Sequence, residues 1–244
     1  MGQEFWDIKE TADSLSNGLV SMAEHTSRRF KISILYDDIV QFCMRYGGRV
    51  VLADLTDVYA RFPKPRFTQQ VFYTGLSNGR TIYIHNDESV VDREARTWDV
   101  LHLTGHMFQW HMKPAAAKRL GMKFYGKRAR EYAAGDFFFA PSSEFGNILQ
   151  YELEANRFSV SIAAQITFGN QRAMIMRYLK QFGAKDLKFI MQYYNGFDES
   201  RSDKFITPSL RELERGIVPV KIPSPSEIRF EELPMLSVPV ILVR

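Results

Sequence analysis

The stretch Arg96-Thr97-Trp98-Asp99-Val100-Leu101-His102-Leu103-Thr104-Gly105-His106-Met107-Phe108-Gln109-Trp110 constrains this chain more than any other. Val100, Leu101, Met107 and Phe108 recur at helical rather than alternating spacing, which predicts one helix. On it His102 and His106 stand at i and i+4, about 40° apart around the axis and about 6 Å apart along it. Two imidazoles so placed can close on one metal ion. Five histidines in 244 residues will also fall four apart by accident, and a histidine on an apolar face is often a satisfied core residue. What raises the metal reading is a second segment, Tyr151-Glu152-Leu153-Glu154-Ala155-Asn156-Arg157-Phe158, where a carboxylate on another amphipathic helix can supply a third ligand. Two histidines and one carboxylate leave a coordination position open, the arrangement of a catalytic site rather than a structural one.

Composition sets the frame for that site. A chain of this length that is 45% hydrophobic suffices for one well-packed domain with appendages. Apolar runs fall short of the ~18 residues of a membrane span, and Met1 to Glu10 mixes charges with Phe5 and Trp6, so a soluble cytoplasmic protein without a signal peptide is expected. The single Cys43, among Ile39, Val40, Phe42 and Met44, reads as a small buried thiol. A net charge of +4 gives no argument for nucleic acid.

Taken in order, residues 1–33 read as an N-terminal extension interrupted at Asn17-Gly18, residues 34–194 as the metal-binding domain, and 195–244 as a Pro-rich extension packed on it. Within the domain a helix is expected from Ile34 to Tyr46, stopped by Gly47-Gly48, then a short buried strand over Arg49–Ala53. Thr68–Tyr73 and Arg80–His85 alternate as two strands around a turn at Leu76-Ser77-Asn78-Gly79. Between the two candidate ligand segments Lys113, Lys118, Arg119, Lys123, Lys127, Arg128 and Arg130 cluster. They read as a solvated face, or alternatively as an anion-recognition lid over the metal. Gly135–Asn147 reads as a loop carrying Phe137-Phe138-Phe139. Helices are expected over Ile148–Ile166, Gln171–Phe182 and Lys185–Tyr194, and a last strand near Val240–Val243.

Helix, strand, hairpin, histidine helix and carboxylate helix in that order resemble the ImmA/IrrE family of zincin-type metallopeptidases. In that family the active helix carries His-Glu-x-Gly-His and a later helix Glu-x-Glu-Ala-Asn-x-Phe-Ala. Here the first stands as His102-Leu103-Thr104-Gly105-His106 and the second as Glu152-Leu153-Glu154-Ala155-Asn156-Arg157-Phe158-Ser159, within a resemblance that covers roughly residues 34 to 168. It implies an α+β zincin-like fold: a small antiparallel or mixed sheet, an active-site helix and a helical C-terminal part. It implies His102, His106 and Glu152 as ligands of one divalent metal, zinc foremost and iron or manganese as alternatives, with Asn156 supporting them and Glu154 the rival third ligand.

The chain departs from the family at Leu103, where the family has the glutamate that takes a proton from metal-bound water. Leucine does neither half of that proton transfer, and general acid–base help is worth ~10²- to 10⁴-fold, about 3 to 5.5 kcal/mol of barrier. The proline that often closes the family's second helix is also absent, Gln165 and Ile166 standing there. Three readings follow. The protein is a metal-dependent hydrolase with altered or lost peptidase activity, in which Asp99, Glu154 or a carboxylate of the substrate takes the role of the missing base on a peptide, protein or small anionic substrate. Or the same three ligands hold iron for non-hydrolytic chemistry, or the domain is a pseudo-enzyme that binds a regulatory partner. His111, i+5 from His106, is a poor fourth ligand, and His85 reads as structural or surface.

Overall fold

A computed structural model of the chain describes residues 36–53, 55, 59–60, 71–72, 75–89, 91–127, 140–166, 183 and 220–236. The N-terminal extension, Phe137-Phe138-Phe139, the helices expected over 171–182 and 185–194 and the strand near 240–243 lie outside the described residues.

Residues 36–45 form α1, whose inner face carries Ile39, Phe42 and Cys43 into the core while Met44 stays outside. Gly47, at φ +82°, turns the chain out of that helix, with Gly48 N–H donating to the Cys43 carbonyl in the manner of a helix-ending glycine. The strands are β1 (Arg49–Ala53), β2 (Tyr59–Ala60), β3 (Val71–Phe72), β4 (Gly75–Ser77) and β5 (Thr81–His85). β1 lies parallel to β5, from Arg49 opposite Thr81 to Ala53 opposite His85, and β4 flanks β5 on its other side, antiparallel, giving a mixed sheet in the order β1-β5-β4. β2 and β3 form a separate antiparallel pair.

Two strand expectations are corrected. β1 is not a buried strand: Val51 and Leu52 are 38% and 47% exposed, because β1 is an edge of the sheet and a continuous apolar run does not reveal that. The antiparallel partner of β5 is Gly75–Ser77 rather than Thr68–Tyr73, of which Val71–Phe72 pairs with β2. Asn78 Oδ1 accepts from the N–H groups of both Arg80 and Thr81, and Gly79 takes φ +97°. The turn therefore closes within Asn78-Gly79-Arg80, which frees Leu76 and Ser77 to extend the ladder.

The helices are α2 (Arg93–Met112), α3 (Pro114–Ala117), and α4 (Phe145–Ile166). α2 begins three residues earlier than its periodicity suggests because Asp92 caps it, Oδ1 accepting from Ala95 N–H at 2.7 Å. It is buried almost all round, from Arg96 to Trp110 with only Asp99 partly open, so its interior hydroxyls turn back on their own helix: Thr97 donates to the Arg93 carbonyl and Thr104 to that of Val100. α3 continues through a π turn, Lys118–Met122, into helical residues 123–127. This segment exposes Lys113, Lys118, Arg119, Lys123 and Lys127 and buries Ala117, Met122, Phe124 and Tyr125, so its described basic residues are a solvent face over an apolar one. Arg128 and Arg130 lie outside the described residues. α4 starts at Phe145, before the loop expected there ends.

The core lies where α1, α2, α4 and the sheet meet, built on Ile39, Phe42, Ile82, Ile84, Phe108, Phe158 and Ile162. Of the Pro-rich extension, residues 220–236 run irregularly apart from a short turn of helix at Pro234–Leu236, and they enter the core through Ile222, Phe230 and Leu236. Phe230 N–H donates to the Tyr46 carbonyl and Leu233 N–H to that of Asn78, so this segment ties α1 to the β4–β5 turn. The architecture is α+β, with a small mixed sheet and mostly helical content.

Candidate metal centre

Helices α2 and α4 cross at Gly105. A β-carbon there would stand 2.4 Å from the Ala155 carbonyl oxygen and 2.6 Å from Ser159 Oγ, so only glycine lets the two backbones approach this closely. Ser159 Oγ seals the crossing, donating toward the Leu101 carbonyl of α2 and the Ala155 carbonyl of its own helix. The close approach brings Glu152 of α4 against the histidine face of α2.

His102 Nε2 and His106 Nε2 lie 3.2 Å and 3.1 Å from the same oxygen, Glu152 Oε2. The three side chains are buried, and their ligand atoms all fall within 4.8 Å of one another. The far side of each ring is held as well. His102 Nδ1 meets Asn156 Oδ1 at 2.9 Å and His106 Nδ1 meets Gln109 Oε1 at 3.0 Å. Gln109 has its orientation fixed, since its amide nitrogen donates to the Tyr151 carbonyl and to Glu154 Oε2. Its oxygen therefore faces His106, and the His106 proton sits on Nδ1. With the amide oxygen of Asn156 in the same position behind His102, both rings direct a bare Nε2 lone pair at a carboxylate oxygen.

Three acceptors facing one another is a repulsive arrangement unless a proton or a cation lies among them. Burial lowers the pKa of His106 below its usual 6.5, against the opposing pull of Glu152, which disfavours a second proton on that ring. Burial works the other way on Glu152, but a proton held between it and a histidine, His106 foremost, outweighs burial and keeps the carboxyl well below the usual range, and a cation in that place would act in the same sense. A neutral imidazole and an ionised carboxylate are the forms a metal takes. Ligands about 2.0–2.2 Å from a shared zinc ion stand at most about 4.4 Å apart, and the two histidine–Glu152 separations of 3.2 Å and 3.1 Å lie inside that limit. The residues fit the group.

Aromatic rings wall the centre. Trp98 stacks on His102 at 5.5 Å, Trp110 on His106 at 5.4 Å, and Tyr151 lies 4.6 Å from His106. Trp110 Nε1 donates to the Tyr151 hydroxyl, locking two of these rings together. Tyr125, from the helical segment after α3, stands 6.1 Å from His106, and its hydroxyl accepts from Ser77 N–H of β4 at 2.9 Å. Gly121 makes room for Tyr151: a β-carbon there would fall 2.7 Å from its ring.

Leu103 is turned away from any polar role. Its Cδ1 reaches to 3.0 Å from where a Gly75 β-carbon would be, so position 103 is an apolar contact with β4. Asp99 sits one turn earlier beside that contact, its β-carbon 3.5 Å from the same point, and is partly buried. Glu154 stands behind the centre instead: it accepts from Gln109 and from Lys113 Nζ at 2.8 Å, and so orients the residue that orients His106. His111 is engaged elsewhere, Nδ1 donating to the Met107 carbonyl and Nε2 accepting from Glu231 N–H. His85 is fully buried at the end of β5, accepting from Asp87 N–H.

Gln109, Trp98, Trp110, Tyr151 and Tyr125 are site residues that the sequence reading passed over. Spacing offered a signal for three of them: Trp98, Trp110 and Gln109 lie four before His102, four after His106 and three after His106 on one helix. No family model, curated protein or solved structure matches this chain. Fold and site together define an α+β protein with a buried His-His-Glu group that can hold a metal ion. Among the described residues no helix is long and apolar enough to cross a membrane.

Proposed function

We propose that this protein binds one divalent metal, zinc foremost, through His102, His106 and Glu152, as a zincin-like, ImmA/IrrE-type hydrolase whose peptidase activity is altered or lost. The observation that carries this reading is the convergence of two Nε2 lone pairs on one Glu152 oxygen, with the opposite ring nitrogens held by Asn156 and Gln109. Bound there, zinc would supply a Lewis acid and lower the pKa of a coordinated water. The chain's own residues orient the ligands and exclude bulk water from them. What they omit is a carboxylate at position 103, and Asp99 is the acid nearest that gap on α2. Activity on peptides or small anionic substrates is accordingly expected to be weak.

Elemental analysis of the purified protein beside the double variant His102→Ala, His106→Ala tests the centre. Near-stoichiometric zinc in the wild type and none in the variant is the expected result, and one metal per chain retained in the variant overturns it. Near-stoichiometric iron would transfer the same ligand set to oxygen-dependent chemistry. Leu103→Glu tests the catalytic part: hydrolysis should rise by up to ~10²- to 10⁴-fold over the wild type if a missing base is what limits it. A variant that keeps its metal and stays inert would favour the regulatory pseudo-enzyme.

A further inference from the structure

In the metal centre the two histidines, Glu152, Asn156 and Gln109 have hydrogen-bond partners, whereas a second set of buried groups, towards the start of α2, does not. Arg96, on α2, is 6% exposed, and among the described residues its guanidinium makes one ion pair, Nη1 to Glu88 Oε1 at 3.1 Å. Nε and Nη2 are buried with no hydrogen-bond partner among those residues. Those two nitrogens form one edge of the guanidinium, the fork that grips the paired oxygens of a carboxylate or phosphate. His85 is 0% exposed and its Nδ1 accepts from Asp87 N–H, so its proton is on Nε2, which is likewise buried and unpartnered. Three buried donors therefore lack acceptors, and each is costly to leave so.

Position supports a common purpose. His85 ends β5 opposite Ala53, which ends the parallel strand β1, and α2 begins after the loop that follows. The region outside the carboxyl ends of parallel strands is where open α/β sheets take their ligands. The loop joins the two residues, Asp87 bonding His85 and Glu88 bonding Arg96. Asp87, held below the usual carboxylate range chiefly by Ser89, also feels both His85 and Arg96. Glu88, its side chain 76% exposed, is the surface partner of Arg96 among the described residues, and an incoming oxyanion would compete with it for the guanidinium.

We propose that Arg96 and His85 form an oxyanion-binding site, for a carboxylate or phosphate group that takes the free edge of the Arg96 guanidinium and the Nε2 proton of His85. A buried guanidinium with one surface ion pair is otherwise a burden on the fold, since an apolar side chain of similar length would pack there without unpaired donors. This site is independent of the metal reading.

The test is thermal melting of the full-length protein against sodium phosphate and, separately, sodium acetate, with sodium chloride at matched ionic strength as the reference. A saturable rise in Tm with at least one oxyanion and not with chloride is expected, phosphate alone marking a tetrahedral ligand and acetate alone a planar carboxylate. Arg96→Met should melt at or above the wild type without oxyanion and need at least about tenfold more of it for half-saturation. Arg96→Lys, which keeps charge and loses the fork, serves if the methionine variant does not fold, with the same tenfold weakening expected. Glu88→Ala should bind more tightly, its competing carboxylate gone. The double variant His102→Ala, His106→Ala should respond as the wild type does. No saturable rise in the wild type overturns the proposal, as does a rise unchanged in Arg96→Met or Arg96→Lys. A response lost with the metal ligands but kept without Arg96 would put the anion on the metal and overturn it too.

Discussion

Gly105→Ala sets two opposing effects against each other at the point where the metal centre is assembled. Replacing a helix-interior glycine by alanine returns up to ~1 kcal/mol through backbone propensity. Against that, the new β-carbon would stand 2.4 Å from the Ala155 carbonyl oxygen, about 0.6 Å inside the 3.0 Å below which such contacts are essentially never seen. The obstacle is α4 backbone, which has no rotamer to escape into. Overpacking of this kind costs about 1–3 kcal/mol, and a rigid obstacle puts it at the upper end, leaving a net loss of about 2 kcal/mol. For a chain of this size that is a fall in Tm of about 4–8 °C. Relief of the clash must part α2 from α4, and with them both histidines from Glu152. Metal–ligand distances tolerate about 0.2 Å, so a separation of several tenths of an ångström should weaken metal affinity at least tenfold. Calorimetry on the metal-free protein and competition against a chelating dye measure the two effects separately. Gly146→Ala is the control, since nothing lies within 4 Å of a β-carbon there and its Tm should hold or rise. A Gly105→Ala protein that melts at or above the wild type with unchanged metal affinity would refute the close-crossing argument.

Other outcomes follow from the same geometry. Gln109→Ala and Asn156→Ala should each lower metal affinity 10- to 100-fold while leaving stoichiometry at saturation unchanged, measured by the same competition. The His106 pKa is lowered by burial, so in the folded protein the imidazole stays neutral as pH falls through 6.5, where a free histidine gains its proton. Metal should therefore be retained at pH 6.5 and released below it, and half-release at or above 6.5 in a dialysis series would contradict the assignment. In the metal-free protein the same depression means the unfolded chain binds the extra proton first, so stability falls as pH drops below 6.5. Burial pushes the Cys43 thiol up to about 12, so iodoacetamide at pH 8.5 should label it only in denaturant, as intact-mass spectrometry would show.

The sequence by itself determined which residues could be brought together. His102 and His106 are joined by one turn of helix, so local geometry alone puts them on one face. Asn156 follows Glu152 by the same interval, and both point to α2 for the same reason. It also determined where α1 ends, since Gly47-Gly48 can be read as a stop before any contact is known. Tertiary structure decided the rest. Glu152 rather than Glu154 faces the histidines because α4 is rotated about the Gly105 crossing, an angle set by packing between positions 46 apart in the chain and invisible to periodicity. Glu154 was left to Lys113 and Gln109 by that same rotation. The β4 strand and the exposure of β1 depended on which edges the sheet leaves unpaired, which no local pattern encodes. Arg96 and His85 read as an ordinary charged residue and a strand-end histidine, and only burial, a property of the folded whole, left their donors without acceptors.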